Sequence, residues 1–136
     1  MEYRKAEIRP FRAEDEPVLF GLVSLDRGAD ERTLSVLARE TVFVAELEGA
    51  PAGYVALERE ADAVKVDQLF VSPEHEAEGI GRQLLEFAEG YAIWQGAARL
   101  RVVVEETNVR ARDFYGGRGF VSVSEELLEL VLPQRS

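Results

Sequence analysis

Tyr115 ends the apolar part of Asn108-Val109-Arg110-Ala111-Arg112-Asp113-Phe114-Tyr115-Gly116-Gly117-Arg118-Gly119-Phe120. Its phenol is a proton donor where phenylalanine would have served packing alone. The other use of the ring is core packing, with the hydroxyl on a backbone carbonyl. A second chemical element lies upstream. Gly79-Ile80-Gly81-Arg82 follows an apolar run and opens an amphipathic pattern, which reads as strand, glycine turn and helix N-terminus. Glycine lets backbone approach an anion, and the unpaired N–H groups and dipole of a helix start attract one. No Gly-Lys-Ser/Thr follows, so the turn is no Walker loop. The third glycine and the ribose-binding acid of a dinucleotide fingerprint are also missing. Glu74, Glu76 and Glu78 precede the turn. They favour an empty helix start and oppose a bound diphosphate; backbone donors and Arg82 work the other way.

The strand before the turn carries two polar residues in an otherwise apolar run. Asp67 interrupts the run from Val66 to Val71, and Gln68 follows it; strand register decides which points inward. A water chain with no dedicated base is the other possibility. Glu105 and Glu106 read as carboxylates at the end of the next strand, either reactive or merely solvated. His75, the lone histidine, sits in a loop where a solvated ring is expected.

The rest of the composition narrows the chemistry. The chain has 136 residues, 46% of them hydrophobic, enough for one domain over 1–136 with a real core. No cysteine is present, which excludes a disulfide frame, a thiol nucleophile and a thiolate-bound metal. One histidine makes no histidine cluster, and no metal is expected. A net charge of −10 argues against nucleic acid as a partner. The acidity suits a cationic amine acceptor or simply aids solubility. No run of 18 apolar residues occurs, so neither a membrane span nor a membrane partner is expected, and a cytoplasmic location follows as an expectation.

The elements that must position these groups alternate between strand and helix patterns. Tyr3 to Arg9 reads as a strand. Asp15, Glu16 and Pro17 open a helix with Val18, Leu19, Leu22, Val23 and Leu25 as its apolar face. Asp30 caps a second helix through Leu34, Leu37 and Ala38. Thr41 to Leu47 and Ala52 to Arg59 form a hairpin, and Val64 to Val71 follows. The long helix runs from Gly79 to about Gln95, with Ile80, Leu84, Phe87, Ala88, Tyr91 and Trp94 as its core stripe. Leu100 to Val104 is the next strand. Asn108 caps the short helix, Val109, Ala111 and Phe114 give its apolar face, and Gly116, Gly117 and Gly119 supply left-handed positions to end it. Phe120 to Val123 and Leu127 to Leu132 form a last antiparallel pair.

With these residues in place, the chain resembles the GNAT N-acetyltransferase superfamily. That family's Gln/Arg-x-x-Gly-x-Gly/Ala motif is matched by Glu76-Ala77-Glu78-Gly79-Ile80-Gly81, and its Val-Ser-Pro strand end by Val71-Ser72-Pro73. Its Asn-x-x-Ala-x-x-Phe-Tyr-x-x-x-Gly-Phe motif is matched by Asn108, Ala111, Phe114, Tyr115, Gly119 and Phe120. The opening from Ile8 to Asp15 resembles the family's first strand and helix start. Glu76 stands where the family has Gln or Arg.

The resemblance implies an α/β (α+β) GNAT fold. This is a mixed, mostly antiparallel sheet of six to seven strands, helices on both faces, and a splayed parallel pair formed by Val64–Val71 and Leu100–Val104. It implies acetyl-CoA as acyl donor. The pantetheine arm would lie along Leu69, Phe70 and Val71, and the pyrophosphate at Glu76, Glu78, Gly79, Ile80, Gly81 and Arg82. Asn108, Ala111, Phe114 and Tyr115 would complete the cofactor contacts. Arg110, Arg112 and Arg118 are candidates for the adenosine 3′-phosphate, with solvated arginines as the alternative. The implied reaction is direct transfer to an amine, with Tyr115 protonating the thiolate and Asp67 as candidate base.

Three functions remain open: acetylation of a small amine, amino acid, polyamine or antibiotic; acetylation of a protein lysine or N-terminus; and a non-catalytic acyl-CoA-binding module. Residues 25–40, where the family frames its acceptor groove, mix acidic and basic side chains, so their charge does not separate the acceptor classes. A homodimer is possible through the final strand.

Overall fold

The computed structural model describes residues 3–28 and 30–134. The outermost positions of the 1–136 domain reading, 1–2 and 135–136, lie outside the described residues. Among the described residues seven strands and four α-helices are formed. The strands are β1 (Glu7–Pro10), β2 (Thr41–Leu47), β3 (Ala50–Glu60), β4 (Ala63–Val71), β5 (Arg99–Val103), β6 (Val121–Ser122) and β7 (Leu127–Val131). The helices are α1 (Asp15–Arg27), α2 (Glu31–Arg39), α3 (Ile80–Trp94) and α4 (Val109–Gly116). The strands make one mixed sheet in the order β1-β2-β3-β4-β5-β7-β6. The sheet and helices match the expected GNAT fold. β4 and β5 pair in parallel only from Ala63↔Arg99 to Val66↔Val102, and β4 then runs on to Val71. The ladder thus stops where the splayed pair was expected.

By contacts the chain divides into two compact units, Met1–Leu57 with Gln68–Ala88, and Glu58–Asp67 with Glu89–Ser136. In the first, Leu19 and Val23 of α1 and Val36 and Leu37 of α2 pack with Val42, Val44, Tyr54, Ala56 and Phe70. Asp30 caps α2 as its sequence predicts, accepting from the Thr33 N–H at 3.2 Å. Arg9 of β1 is held between Glu46 and the buried Asp15, whose two oxygens it meets at 2.7 and 2.8 Å. In the second unit Val64, Val66, Leu100, Val102 and Leu128 are buried. Their alternation along β4, β5 and β7 puts one face of each strand inward.

Several expected boundaries and faces are corrected. The first strand is Glu7–Pro10 rather than Tyr3 to Arg9. Leu25 is 87% exposed and Val18 lies at the surface, so of the expected apolar face Leu19 and Val23 are the buried residues. The stripe of α3 is rotated from the expected one. Ile80, Leu84, Leu85, Ala88 and Ala92 are buried, and Trp94 is 67% exposed. Small alanines allow closer backbone approach than the aromatic positions do, and close packing decides the face.

Candidate active site

The turn into α3 is built in the first unit. Gly79 has φ +82, a left-handed conformation natural to glycine, and it directly precedes the first helical residue. Having no side chain, it brings no capping atom. The first bond of the helix runs from the Gln83 N–H to the Gly79 carbonyl at 3.1 Å. The N–H groups of Ile80, Gly81 and Arg82 therefore lie ahead of the intrahelical ladder and face outward from the helix end. No acidic residue stands in the first turn of α3. The donor set suits an anion, with bare backbone N–H groups and a helix dipole converging on one place.

The acidic loop ahead of this turn is arranged around one imidazole. His75 Nδ1 and Glu78 Oε1 are 2.8 Å apart, and Arg4 approaches the same carboxylate oxygen at 3.8 Å. The His75 side chain is 22% exposed, so the solvated ring expected from sequence is corrected to a half-buried, hydrogen-bonded one. Glu76 remains exposed. Arg82 is exposed and lies 3.8 Å from Glu86, one helical turn on.

The end of β4 has an unusual backbone. A Cβ on Gly53 would overlap the Phe70 carbonyl oxygen and stand 3.2 Å from Val71 Cα, so only glycine lets β4 come this close to β3. The Phe70 carbonyl is turned onto β3. Because C=O and N–H oppose one another across a planar trans peptide, the Val71 N–H is turned away from β3. The next N–H, of Ser72, returns to β3 and donates to the Ala52 carbonyl at 2.8 Å. Phe70 is buried, while Leu69 and Val71 are half-buried. Gln68 accepts from the buried Tyr54 hydroxyl at 2.6 Å.

In the second unit, Asp67 shares a strand face with Lys65, whose ammonium is 3.7 Å from Oδ1. Its side chain is only 6% exposed.

The second unit also holds Tyr115. Asn108 caps α4, its Oδ1 accepting from the Ala111 N–H at 3.1 Å. At the other end the Phe120 N–H reaches the Tyr115 carbonyl at 3.2 Å and the Gly119 N–H reaches that of Gly116 at 3.1 Å. Gly119, at φ +97, is the left-handed residue of this Schellman closure. Gly117 is right-handed at φ −64, so the helix is stopped by Gly119 rather than by three left-handed glycines. The closure folds Phe120 back beside Tyr115, ring centroids 5.3 Å apart and edge-on; Phe114 lies 5.1 Å from Tyr115 on the same terms. Tyr115 is the buried residue of α4; Ala111 and Phe114 are half-buried and Val109 is exposed, which corrects the expected apolar face. Burial alone pushes the Tyr115 phenol up to about 12, so it stays protonated across the physiological range.

Some sequence readings separate here. Arg112 donates to the carbonyls of Val104 and Glu125, each at 3.1 Å, and to Ser122 Oγ at 3.0 Å, which makes it a brace between α4 and the strands around it. Arg118 lies 3.8 Å from Glu89. Both arginines thus make contacts within the second unit rather than standing as purely solvated side chains. Sequence reasoning missed the Arg4, His75 and Glu78 group and the Gly53 approach. An isolated glycine inside a strand was the available signal for the latter.

Comparison with known proteins bears on these features. The acetyltransferase (GNAT) family matches residues 4–120. An uncharacterized N-acetyltransferase of Archaeoglobus fulgidus is 34% identical over 87 residues, covering 59% of each chain. An uncharacterized N-acetyltransferase of Lactobacillus delbrueckii subsp. lactis is 27% identical over 96 residues, covering 65% of this chain and 56% of that one. The chain thus aligns with less than two thirds of the length of these relatives. Among solved structures, the ribosomal-protein-S18-alanine N-acetyltransferase of Escherichia coli superposes with a TM-score of 0.80 at 20% identity, over 97% of this chain and 96% of that one. The PaiA N-acetyltransferase of Thermoplasma acidophilum, solved with coenzyme A, superposes with a TM-score of 0.73 at 20% identity, over 94% and 99%. At such identities the structures speak for the fold alone. The family match covers most of the sequence and both motif regions: this chain belongs to the GNAT acetyltransferase family.

Proposed function

We propose that the protein is an N-acetyltransferase that moves an acetyl group from acetyl-CoA directly to a primary amine. The observation that carries the reading is the Gly79 turn, which presents the first N–H groups of α3 with no acid in the helix's first turn. Both units are read as parts of one acetyltransferase domain, 1–136, since the family match includes segments of each.

The fit of acetyl-CoA rests on this chain's own groups. Gly79, Ile80, Gly81 and Arg82 would hold the pyrophosphate through backbone N–H groups, with the Arg82 side chain adding charge. Leu69, Phe70 and Val71 would accompany the pantetheine arm, whose amides suit the backbone groups of an unpaired strand edge. Asn108, Ala111 and Phe114 would line the same cofactor, and Glu76 and Glu78 border its diphosphate. When bound, acetyl-CoA supplies the activated acyl group and a thiolate leaving group. The Val71 N–H, turned away from β3, is the donor for the developing oxyanion. Tyr115 holds its proton and gives it to the departing sulfur. Asp67 is the candidate base for the attacking amine. Its carboxylate lies 3.7 Å from the Lys65 ammonium.

The acceptor class proposed is a small amine, amino acid, polyamine or antibiotic. The test is thiol release from acetyl-CoA in the presence of an amine panel that includes lysine peptides and free peptide N-termini, with acetylated product identified by mass. Acetylation of a small amine supports the reading, and acetylation of peptides alone moves it to the protein class. Binding of acetyl-CoA with no product from any acceptor leaves a non-catalytic binding module.

A further inference from the structure

The acidic loop poses a problem that the cofactor reading does not solve. Three carboxylates, Glu74, Glu76 and Glu78, precede a turn read as a diphosphate cradle, and like charge weakens such binding. Glu78 is the residue next to Gly79 and has the shortest route into the cradle.

The structure directs that carboxylate elsewhere. Glu78 Oε1 lies 2.8 Å from His75 Nδ1 and 3.8 Å from Arg4 Nη1. Arg4 also faces Glu48, of the β2–β3 turn, at 3.5 Å. The N-terminal segment is itself fixed to the loop. The Arg4 N–H donates to the Glu78 carbonyl at 2.9 Å. The buried Gln83 side chain donates to the carbonyls of Arg4 at 2.6 Å and Gly79 at 3.1 Å, and accepts from the Ala6 N–H at 2.9 Å. Arg4 therefore stands against Glu78 by backbone construction and not by a free side chain alone. On the other side of the ring, His75 Nε2 is 3.5 Å from Glu74 Oε1.

We propose that His75 and Arg4 are positioning residues that hold the Glu78 carboxylate off the diphosphate cradle. The inference rests on the acetyl-CoA reading above. A carboxylate partner fixes a ring proton on Nδ1, so the imidazole donates to Glu78 and ties that side chain to the loop. Nε2 faces Glu74. Arg4 approaches the same Glu78 oxygen. Without these partners the Glu78 carboxylate is free to turn toward the cradle, where like charge opposes a diphosphate.

The experiment measures the CoA dissociation constant by calorimetry in the full chain and in His75→Ala, Glu78→Gln and the double variant. Thermal unfolding confirms that each variant folds. The expected result is that His75→Ala weakens CoA roughly three- to tenfold, the range for one charge near a screened polyanion. Glu78→Gln tightens binding and abolishes most of the His75 effect. A dissociation constant indifferent to His75→Ala, or a loss that persists undiminished in the Glu78→Gln background, overturns the inference. Failure of every folded form to bind CoA overturns the cofactor reading itself, whereas binding that ignores His75 overturns only the positioning role.

Discussion

The N-termini of α3 and α4 are both entered from a loop in a motif that the sequence makes visible, yet they are finished in opposite ways. At α4 the Asn108 side chain takes up the Ala111 N–H, and that donor is spent inside the protein. At α3 the residue before the helix is Gly79, which has no side chain to spend, and the first-turn donors lie ahead of the first intrahelical bond. The difference teaches how one fold assigns two roles to the same backbone feature. A capped helix start is a structural joint that holds Tyr115 at the far end of a short helix. An uncapped one, reached through a left-handed glycine, keeps donors that suit an anion.

The contrast is open to attack at several points. The largest expected effect lies at the C-terminal end of α4. Tyr115→Phe keeps the ring against Phe114 and Phe120 but removes the proton, so kcat should fall by about 10²–10⁴, the range for a lost general acid. CoA affinity should hardly change. A matching loss in CoA affinity would make Tyr115 a binding residue instead.

Next comes the α3 turn. Gly79→Ala puts a Cβ at φ +82 and 2.8 Å from the Tyr3 ring, so the turn must rearrange. The left-handed strain alone is ~1–2 kcal/mol. A roughly tenfold weaker CoA complex is expected in calorimetry, matching that strain where the bound form needs the native turn. Unchanged affinity would remove the turn from the binding site.

Asn108→Ala should lower stability by about 1 kcal/mol in chemical denaturation, and Asn108→Ser should restore most of it, since serine also caps. Equal losses in both variants would show that the asparagine is not acting as a cap.

The smallest effect is a pH dependence. The buried Tyr115 phenol is raised from 10.0 to about 12, so the folded chain keeps this proton where an unfolded one loses it. Its contribution to stability is full below pH 10 and is lost as pH rises toward 12. Wild type should therefore lose stability relative to Tyr115→Phe over that window, and parallel curves would contradict the raised value.

Local signals were readable in the chain and long-range ones were not. The caps at Asp30 and Asn108 depend on residues three apart, and the bounds of β2 on a β-branched run, so sequence alone located them. Trp94 was misplaced because a helical repeat defines a stripe but not how far it turns. The buried face instead takes in Leu85 and Ala92 beside Ile80, Leu84 and Ala88. Asp67 and Gln68 could not be told apart without register; the bond from Tyr54 to Gln68 joins residues of different strands. His75 looked solvated for the same reason, since Arg4, which shares Glu78 with it, is distant in sequence. The Val71 N–H became visible only through its neighbour's carbonyl, crowded onto Gly53.

The central claim is that the Gly79 turn receives the diphosphate of acetyl-CoA. Thermal unfolding with acetyl-CoA and with CoA, against ATP as a polyphosphate control, tests it most directly. A ligand that binds only the native state raises stability by ~2.7 kcal/mol at a hundredfold excess over Kd. A clear upward shift with acetyl-CoA and CoA but not with ATP, diminished in Gly79→Ala, is the predicted result. No shift at millimolar acetyl-CoA, or an equal shift with ATP, would contradict the account.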